Sequence, residues 1–256
     1  MHHLQIDRLA CQDSPVHRFD SRVKLVAAIV YTVFVISLPA TAVSVLACFA
    51  VGPFALLMLA NIPLRFAAKQ TLIIMPFVLV LALSTVYYDR TPVEVAFGPF
   101  GWDTTAGLLR CVSILGKFVI TVSVLIVLIG STRFGDLLGA MARLGVPSIL
   151  VMQIGFLYRY IFLLTDRARH MIIAKRARTV AAQGFRRQLK TASAMIGSLF
   201  AQSLDTATRV NMAMQARGFA AGTYSRRPMH LSKADRYFVV VFVVYLVVLG
   251  LLRAGY

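Results

Sequence analysis

The sequence predicts an all-α integral membrane protein with about five transmembrane helices and a long cytoplasmic helical segment. Three observations predict it. First, 59% of the 256 residues are hydrophobic and only 14% are charged, against about 45–50% and about 25% in a soluble domain. Second, the apolar residues gather into runs of roughly bilayer length. Third, the basic residues flank and separate those runs. A net charge of +17 would suit a nucleic-acid binder, but this distribution follows the positive-inside pattern instead. No nucleic-acid partner is expected.

Residues 1–22 are polar, without the short apolar stretch of a cleavable signal, and form an N-terminal segment. Residues 23–40 form the first apolar run. Residues 42–60 form the second, interrupted by Gly52-Pro53, which neighbouring helices can accommodate in a bilayer. Residues 70–87 and 107–131 form the third and fourth, completing a four-helix region over 23–131. Residues 237–252 form the last, within a C-terminal segment 237–256. Each is near the ~20 residues needed to cross ~30 Å of hydrocarbon. Residues 147–165 suggest a sixth, but Gln153, Arg159 and the charge that follows suit a lipid-facing span poorly.

Loop charge sets the orientation. The segment 132–236 holds 17 of the 27 Lys and Arg residues and four acids, whereas the loop at 88–106 sets Arg90 against Asp89, Glu94 and Asp103. Five spans place every basic segment on one side, so the N-terminus and 132–236 are expected in the cytoplasm. Within that segment, Phe134 to Leu144 reads as a short amphipathic helix stopped by Gly145-Val146-Pro147. A long helix is expected from Ser148 to about Val180, with a turn around Gly184. A second is expected from about Lys190 to Arg217, stopped by Gly218. Ile196, Leu199, Phe200, Ser203, Ala207, Val210 and Met214 recur on it every three or four residues, an apolar stripe that needs a partner surface.

Two tripeptides sit near the ends of those helices: Ala177-Arg178-Thr179 and Ala216-Arg217-Gly218. A cation there complements the negative end of the helix dipole. An arginine flanked by small residues can also enter a partner surface and bind carboxylates or helix-terminal carbonyls in fixed geometry. Arg176 lies close enough to Arg178 to be the alternative in the first motif. In the fourth span, Arg110 and Lys117 are awkward in lipid. Lys117 is the deeper of the two and the candidate for contact with another subunit, set against snorkelling or an interhelical bond.

These strings resemble a family. The lead-in at Asp7-Arg8 and from Asp13 to Lys24 (DSPVHRFDSRVK), FGDLLGAMARLGVP at 134–147, FLYRYIFLLTDRA at 156–168, AKRARTV and AMQARGF are similar to the transmembrane coupling (T) component of energy-coupling-factor transporters, cobalt/nickel type. The likeness runs over nearly the whole chain. Thr179 stands where that family more often has Gly or Ser. The resemblance implies a non-catalytic subunit between a membrane metal-binding substrate subunit and two ATP-binding-cassette ATPases. Ala177-Arg178-Thr179 and Ala216-Arg217-Gly218 would be its coupling motifs, carried on coupling helices that dock into the ATPases. A vitamin-importing system of the same kind is the alternative.

No cofactor is expected on this chain. It has no Gly-x-x-x-x-Gly-Lys-Ser/Thr string, so the partners would use ATP. For a metal, His2 and His3 are the candidates, because a free amine followed by histidine at position three chelates nickel and copper; the transported metal is nonetheless expected on the partner. Cys11, Cys48 and Cys111 are isolated and read as small buried side chains. A membrane-embedded transferase would need paired acids, a metal cluster or a nucleophile with its base, and the first four apolar runs contain no acid. A self-contained carrier would show internal repeats and polar sites within its spans, and neither is evident.

Overall fold

The computed structural model describes residues 14, 16–17, 19–40, 43–88, 91–97, 100–179, 184–219 and 232–254. Eight α-helices occur among them: α1 (Ser21–Ile36), α2 (Val43–Leu59), α3 (Leu64–Tyr88), α4 (Ala106–Ser131), α5 (Phe134–Arg143), α6 (Ser148–Arg178), α7 (Phe185–Ala216) and α8 (Lys233–Ala254). The loop expected at 88–106 instead contains an antiparallel hairpin, β1 (Pro92–Phe97) with β2 (Phe100–Thr105), in the register Val93 with Thr104 and Val95 with Trp102. Alternation of Val93 and Val95 with Glu94 and Ala96 is a strand pattern too short to stand out among apolar runs. The chain divides into two compact units, Met1–Ala140 with Pro228–Tyr256, and Met141–Arg227.

In the first unit α4 is the hub, packed against α1, α2 and α3, while α8 packs on α1 and α2. One core joins Tyr31, Val35, Phe49, Ile120, Val124 and Leu246; a second joins Val16, Leu57, Ile62, Ala67, Ile126 and Val127. The face of α3 is different: Leu72, Phe77, Val80 and Tyr88 are all exposed, as expected of a surface that meets hydrocarbon. Among the described residues, length and composition qualify four helices to cross a membrane: α3, α4, α6 and α8. The first two apolar runs give shorter helices, of 16 and 17 residues. The first shortens because Ser37-Leu38-Pro39-Ala40 lies outside the helix. Residues 147–165, read as a poor span, belong to the 31-residue α6, which passes the length test.

Gly52-Pro53 shows how α2 tolerates a break. Pro53 has no N–H to give the carbonyl of Phe49, four residues back. The Tyr31 hydroxyl from α1 donates to that carbonyl instead. The Tyr245 hydroxyl from α8 donates to the Cys48 carbonyl at 3.0 Å and accepts from Gly52 N at 3.2 Å. Tyr31 thus replaces the rung that Pro53 removes, and Tyr245 bonds the neighbouring donor and acceptor, as low-dielectric surroundings require. Tyr31→Phe leaves the Phe49 carbonyl without that donor and is expected to destabilise the protein by about 1–3 kcal/mol. Denaturant unfolding in lipid would read the loss, and an unchanged midpoint would contradict it.

Three helices end alike. Asn61 (φ 53°), Gly145 (φ 99°) and Gly218 (φ 71°) take left-handed backbone just past α2, α5 and α7. The next residue's N–H then returns to a carbonyl five residues back: Ile62 to Leu57, Val146 to Met141 and Phe219 to Met214, at 3.2, 3.2 and 3.0 Å. Glycine and asparagine suit this turn because left-handed backbone is costly for other side chains.

Candidate functional site

In the second unit, α6 and α7 form an antiparallel pair joined through residues 179–184. Ser148 starts α6 behind Pro147, whose carbonyl accepts from Leu150 and Val151. Arg167 Nη1 donates to Thr206 Oγ1 at 2.9 Å near the middle of the pair. On one side of that bond, Ile172, Lys175 and Arg176 share a groove with Gln188, Met195 and Leu199. On the other, Met152, Phe156 and Tyr160 share one with Val210, Met214 and Phe219. The stripe expected on α7 therefore faces α6: Ile196 and Leu199 line the first groove, and Ser203, Ala207, Val210 and Met214 the second. Phe200 lies outside both, 64% exposed.

The antiparallel arrangement puts the two motifs at opposite ends of the pair, separated by on the order of 40 Å, roughly a helix length. Ala177, Arg178, Ala216, Arg217 and Gly218 are exposed, and Thr179 is half-buried. Arg178 is the last residue of α6, whose final turn also carries Lys175 and Arg176. Arg176, also exposed, lines the groove against α7, whereas Arg178 does not.

The two ends stop by different chemistry. Beyond α7, Gly218 N donates to the Gln215 carbonyl at 2.9 Å, and left-handed backbone turns the chain sharply after Arg217. Beyond α6, Thr179 stays extended (φ −104°) and its hydroxyl donates to the Lys175 carbonyl at 2.8 Å. The hydroxyl thus caps a carbonyl where the other motif uses glycine geometry. Gly218→Ala is expected to destabilise the end of α7 by roughly 1 kcal/mol, and Gly218→Asn by less, because asparagine tolerates left-handed backbone. Amide hydrogen exchange at Gln215–Phe219 would show it; equal protection in both variants would contradict it.

The first unit holds a second constellation, which sequence reasoning missed. Lead-in residues clasp the end of α4, the start of α5 and the start of α8. The ring of His17 bonds the Ser14 hydroxyl through Nδ1 at 2.7 Å and the Gly130 carbonyl through Nε2 at 3.1 Å. Lys24 Nζ donates to the carbonyls of Ser131 at 2.9 Å and His17 at 3.3 Å. Ser21 Oγ donates to the Asp136 carbonyl at 3.0 Å. Asp235 accepts from Asp20 N at 2.8 Å and Ser232 N at 2.7 Å. Lys24, counted in the sequence as a flanking charge, is buried, and so is Asp235. The available signal was a lysine three residues inside a helix that carries an apolar run.

Lys117 Nζ donates to the carbonyl of Ile36 at 3.3 Å and to that of Leu38. It thereby joins α4 to the C-terminal end of α1, where a cation suits the helix dipole. Among the described residues, no group of three His, Cys, Asp or Glu side chains is placed to hold a metal ion. His2 and His3 lie outside the described residues, as do Asp7, Arg8, Asp13, Pro15 and Arg18 of the lead-in.

Comparison with known proteins gives the arrangement a family. The chain is 28% identical over 250 residues to the energy-coupling factor transporter transmembrane protein EcfT of Bacillus selenitireducens, covering 91% of each chain. It is 28% identical over 160 residues to the cobalt transport protein CbiQ of Rhodobacter capsulatus, covering 62% of each. It is also 29% identical over 252 residues to a putative ABC transporter ATP-binding protein of Bifidobacterium longum, covering 91% of this chain and 31% of that one. Residues 12–229 match the family described as CbiQ, cobalt transport protein. With 218 of its 256 residues inside that match, this multi-pass membrane chain belongs to the CbiQ cobalt transport protein family, as a transport component and not an enzyme.

Proposed function

We propose that the chain is the coupling subunit of an energy-coupling-factor importer for cobalt or nickel, passing ATP-driven motion from two ATPase subunits to a membrane substrate-binding subunit. The observation that carries this reading is the pair of exposed arginines, Arg178 and Arg217, at opposite ends of one antiparallel helix pair. A partner with two equivalent grooves could seat both ends at once. Closure of that partner would then move α6 and α7, because packed helices shift as units. The Bifidobacterium longum relative adds support, since a stretch like this chain occurs within a longer protein named as ATP-binding.

In this reading the N-terminus and residues 132–236 face the cytoplasm and the protein sits in the cell inner membrane. The transported ion is held by the substrate subunit and ATP by the ATPases. Lys117 has one ammonium hydrogen left beyond its two carbonyl bonds, which would serve a contact with the substrate subunit. Cobalt follows the family's description and the Rhodobacter capsulatus relative. A vitamin-importing system of the same kind is the second reading; the EcfT relative, covered to 91%, carries no substrate in its name. The test is cobalt uptake by vesicles holding the complete complex, with metal analysis of each purified subunit. Uptake that needs the ATPases, with cobalt on the substrate subunit, is expected. Uptake by this chain alone would overturn the coupling role, and a metal-free active complex would overturn the cobalt assignment only.

A further inference from the structure

Helices α1, α2, α4 and α8 surround an apolar cavity of about 320 Å³. Its walls include Ala28, Val124, Val127, Leu128, Val241 and Phe242. The stretches that line it, Lys24 to Tyr31 on α1, Val124 to Ser131 on α4 and Phe238 to Tyr245 on α8, each advance seven residues. That is a slot ~10 Å long beside the helices, most of one leaflet's ~15 Å share of the hydrocarbon.

The polar groups on its walls are unevenly served. The Tyr31 and Tyr245 hydroxyls are used in the α2 ladder. Lys24 uses two of its three ammonium hydrogens on the carbonyls of His17 and Ser131. Ser131 differs: 3% exposed, it lines the cavity, and its Oγ has no hydrogen-bond partner among the described residues. The slot is therefore greasy along its length and offers one hydroxyl and one spare ammonium hydrogen at a single end. Water needs two to four polar partners to occupy a cavity, which the greasy length does not supply.

We propose that this slot holds one acyl chain of a bilayer phospholipid. The hydrocarbon lies along Ala28, Val127 and Val241, and the ester carbonyl accepts from the Ser131 hydroxyl beside Lys24. The pattern of an apolar body with a polar tip on one side only matches an esterified chain, which a bilayer supplies in excess. The seated chain would fill the space between α1, α2, α4 and α8, three of which the lead-in clasp also joins. This assignment rests on the membrane location and is independent of the coupling role.

The test uses the full-length chain in bilayers doped with phosphatidylcholine carrying a diazirine in its second chain. Photolysis should label Val124–Leu128 and Phe242. Ala27→Phe and Ala55→Phe, which place a ring in the slot, should cut that label at least tenfold while labelling of Phe77 and Val80 on the exposed face of α3 stays constant. Ser131→Ala should lower cavity labelling roughly fivefold, the effect of one net hydrogen bond, while labelling of Phe77 and Val80 again stays constant. Label confined to α3, or cavity label indifferent to all three variants, would overturn the proposal. Cavity labelling by a diazirine fatty acid but not by the phospholipid would overturn the choice of an esterified chain.

Discussion

Arg217→Ala is expected to weaken capture of the ATPase pair by a factor of about thirty or more while the protein inserts and folds as before. Arg217 caps α7 and is exposed in the isolated chain. It therefore contributes little to the chain's own stability, and surface substitutions of this kind usually stay within about 0.5 kcal/mol. In the complex the guanidinium would be desolvated against carboxylates or helix-terminal carbonyls. Truncating one partner of such a buried pair costs ~2–5 kcal/mol, because the other partner is left unpaired. Arg217→Lys keeps the charge but loses the planar fork and should fall between. Arg178→Ala should act in the same direction at the other end, whereas Arg176→Ala should cost less, because Arg176 lines the groove against α7. Titration of the purified ATPases against each variant would rank them. Arg176→Ala as the larger loss would reassign the first motif.

Asp235→Ala is expected to have the largest effect on stability, about 3–5 kcal/mol. Asp235 is 2% exposed, and its two oxygens take the N–H groups of Asp20 and Ser232. One carboxylate thus ties the start of α1 to the start of α8. Its removal leaves two backbone donors without an acceptor. It also strips negative charge from a site that holds the buried ammonium of Lys24, and breaking a buried charge arrangement from one side is costly. Asp235→Asn keeps one acceptor oxygen and should lose less. Lys24→Met removes the partner charge, so the double substitution Lys24→Met with Asp235→Asn should cost less than the sum of the two. Unfolding midpoints in lipid measure all four proteins. An Asp235→Ala midpoint equal to wild type would show that the clasp contributes nothing to the fold.

The clasp also shows where reading the sequence stops. Apolar runs and their basic flanks located α3, α4 and α8, because hydropathy is written residue by residue; Gln153 and Arg159 masked α6, which is nonetheless long and apolar enough to cross a membrane. Gly145 and Gly218 marked helix ends, since left-handed backbone selects glycine locally. The end of α1 was harder: Ser37 to Ala40 continue the apolar run but leave the helix. The bonds from His17 to Gly130, 113 residues away, and from Asp20 to Asp235, 215 residues away, have no local signature. The same holds for the two tyrosines that serve the α2 break. Gly52-Pro53 announced that backbone groups needed partners, but nothing in the chain nearby named Tyr31 and Tyr245. The arginines were legible as types at helix ends; their placement at opposite ends of an antiparallel pair needed the packing of α6 on α7.

Motion passed through two cationic helix ends is the central claim, and ATP-driven cobalt uptake by vesicles containing the Arg178→Ala, Arg217→Ala chain in its full complex tests it most directly. Uptake should fall to the level seen without ATP, with the unfolding midpoint of the chain unchanged. Wild-type uptake per ATP hydrolysed, with both arginines gone, would contradict the account.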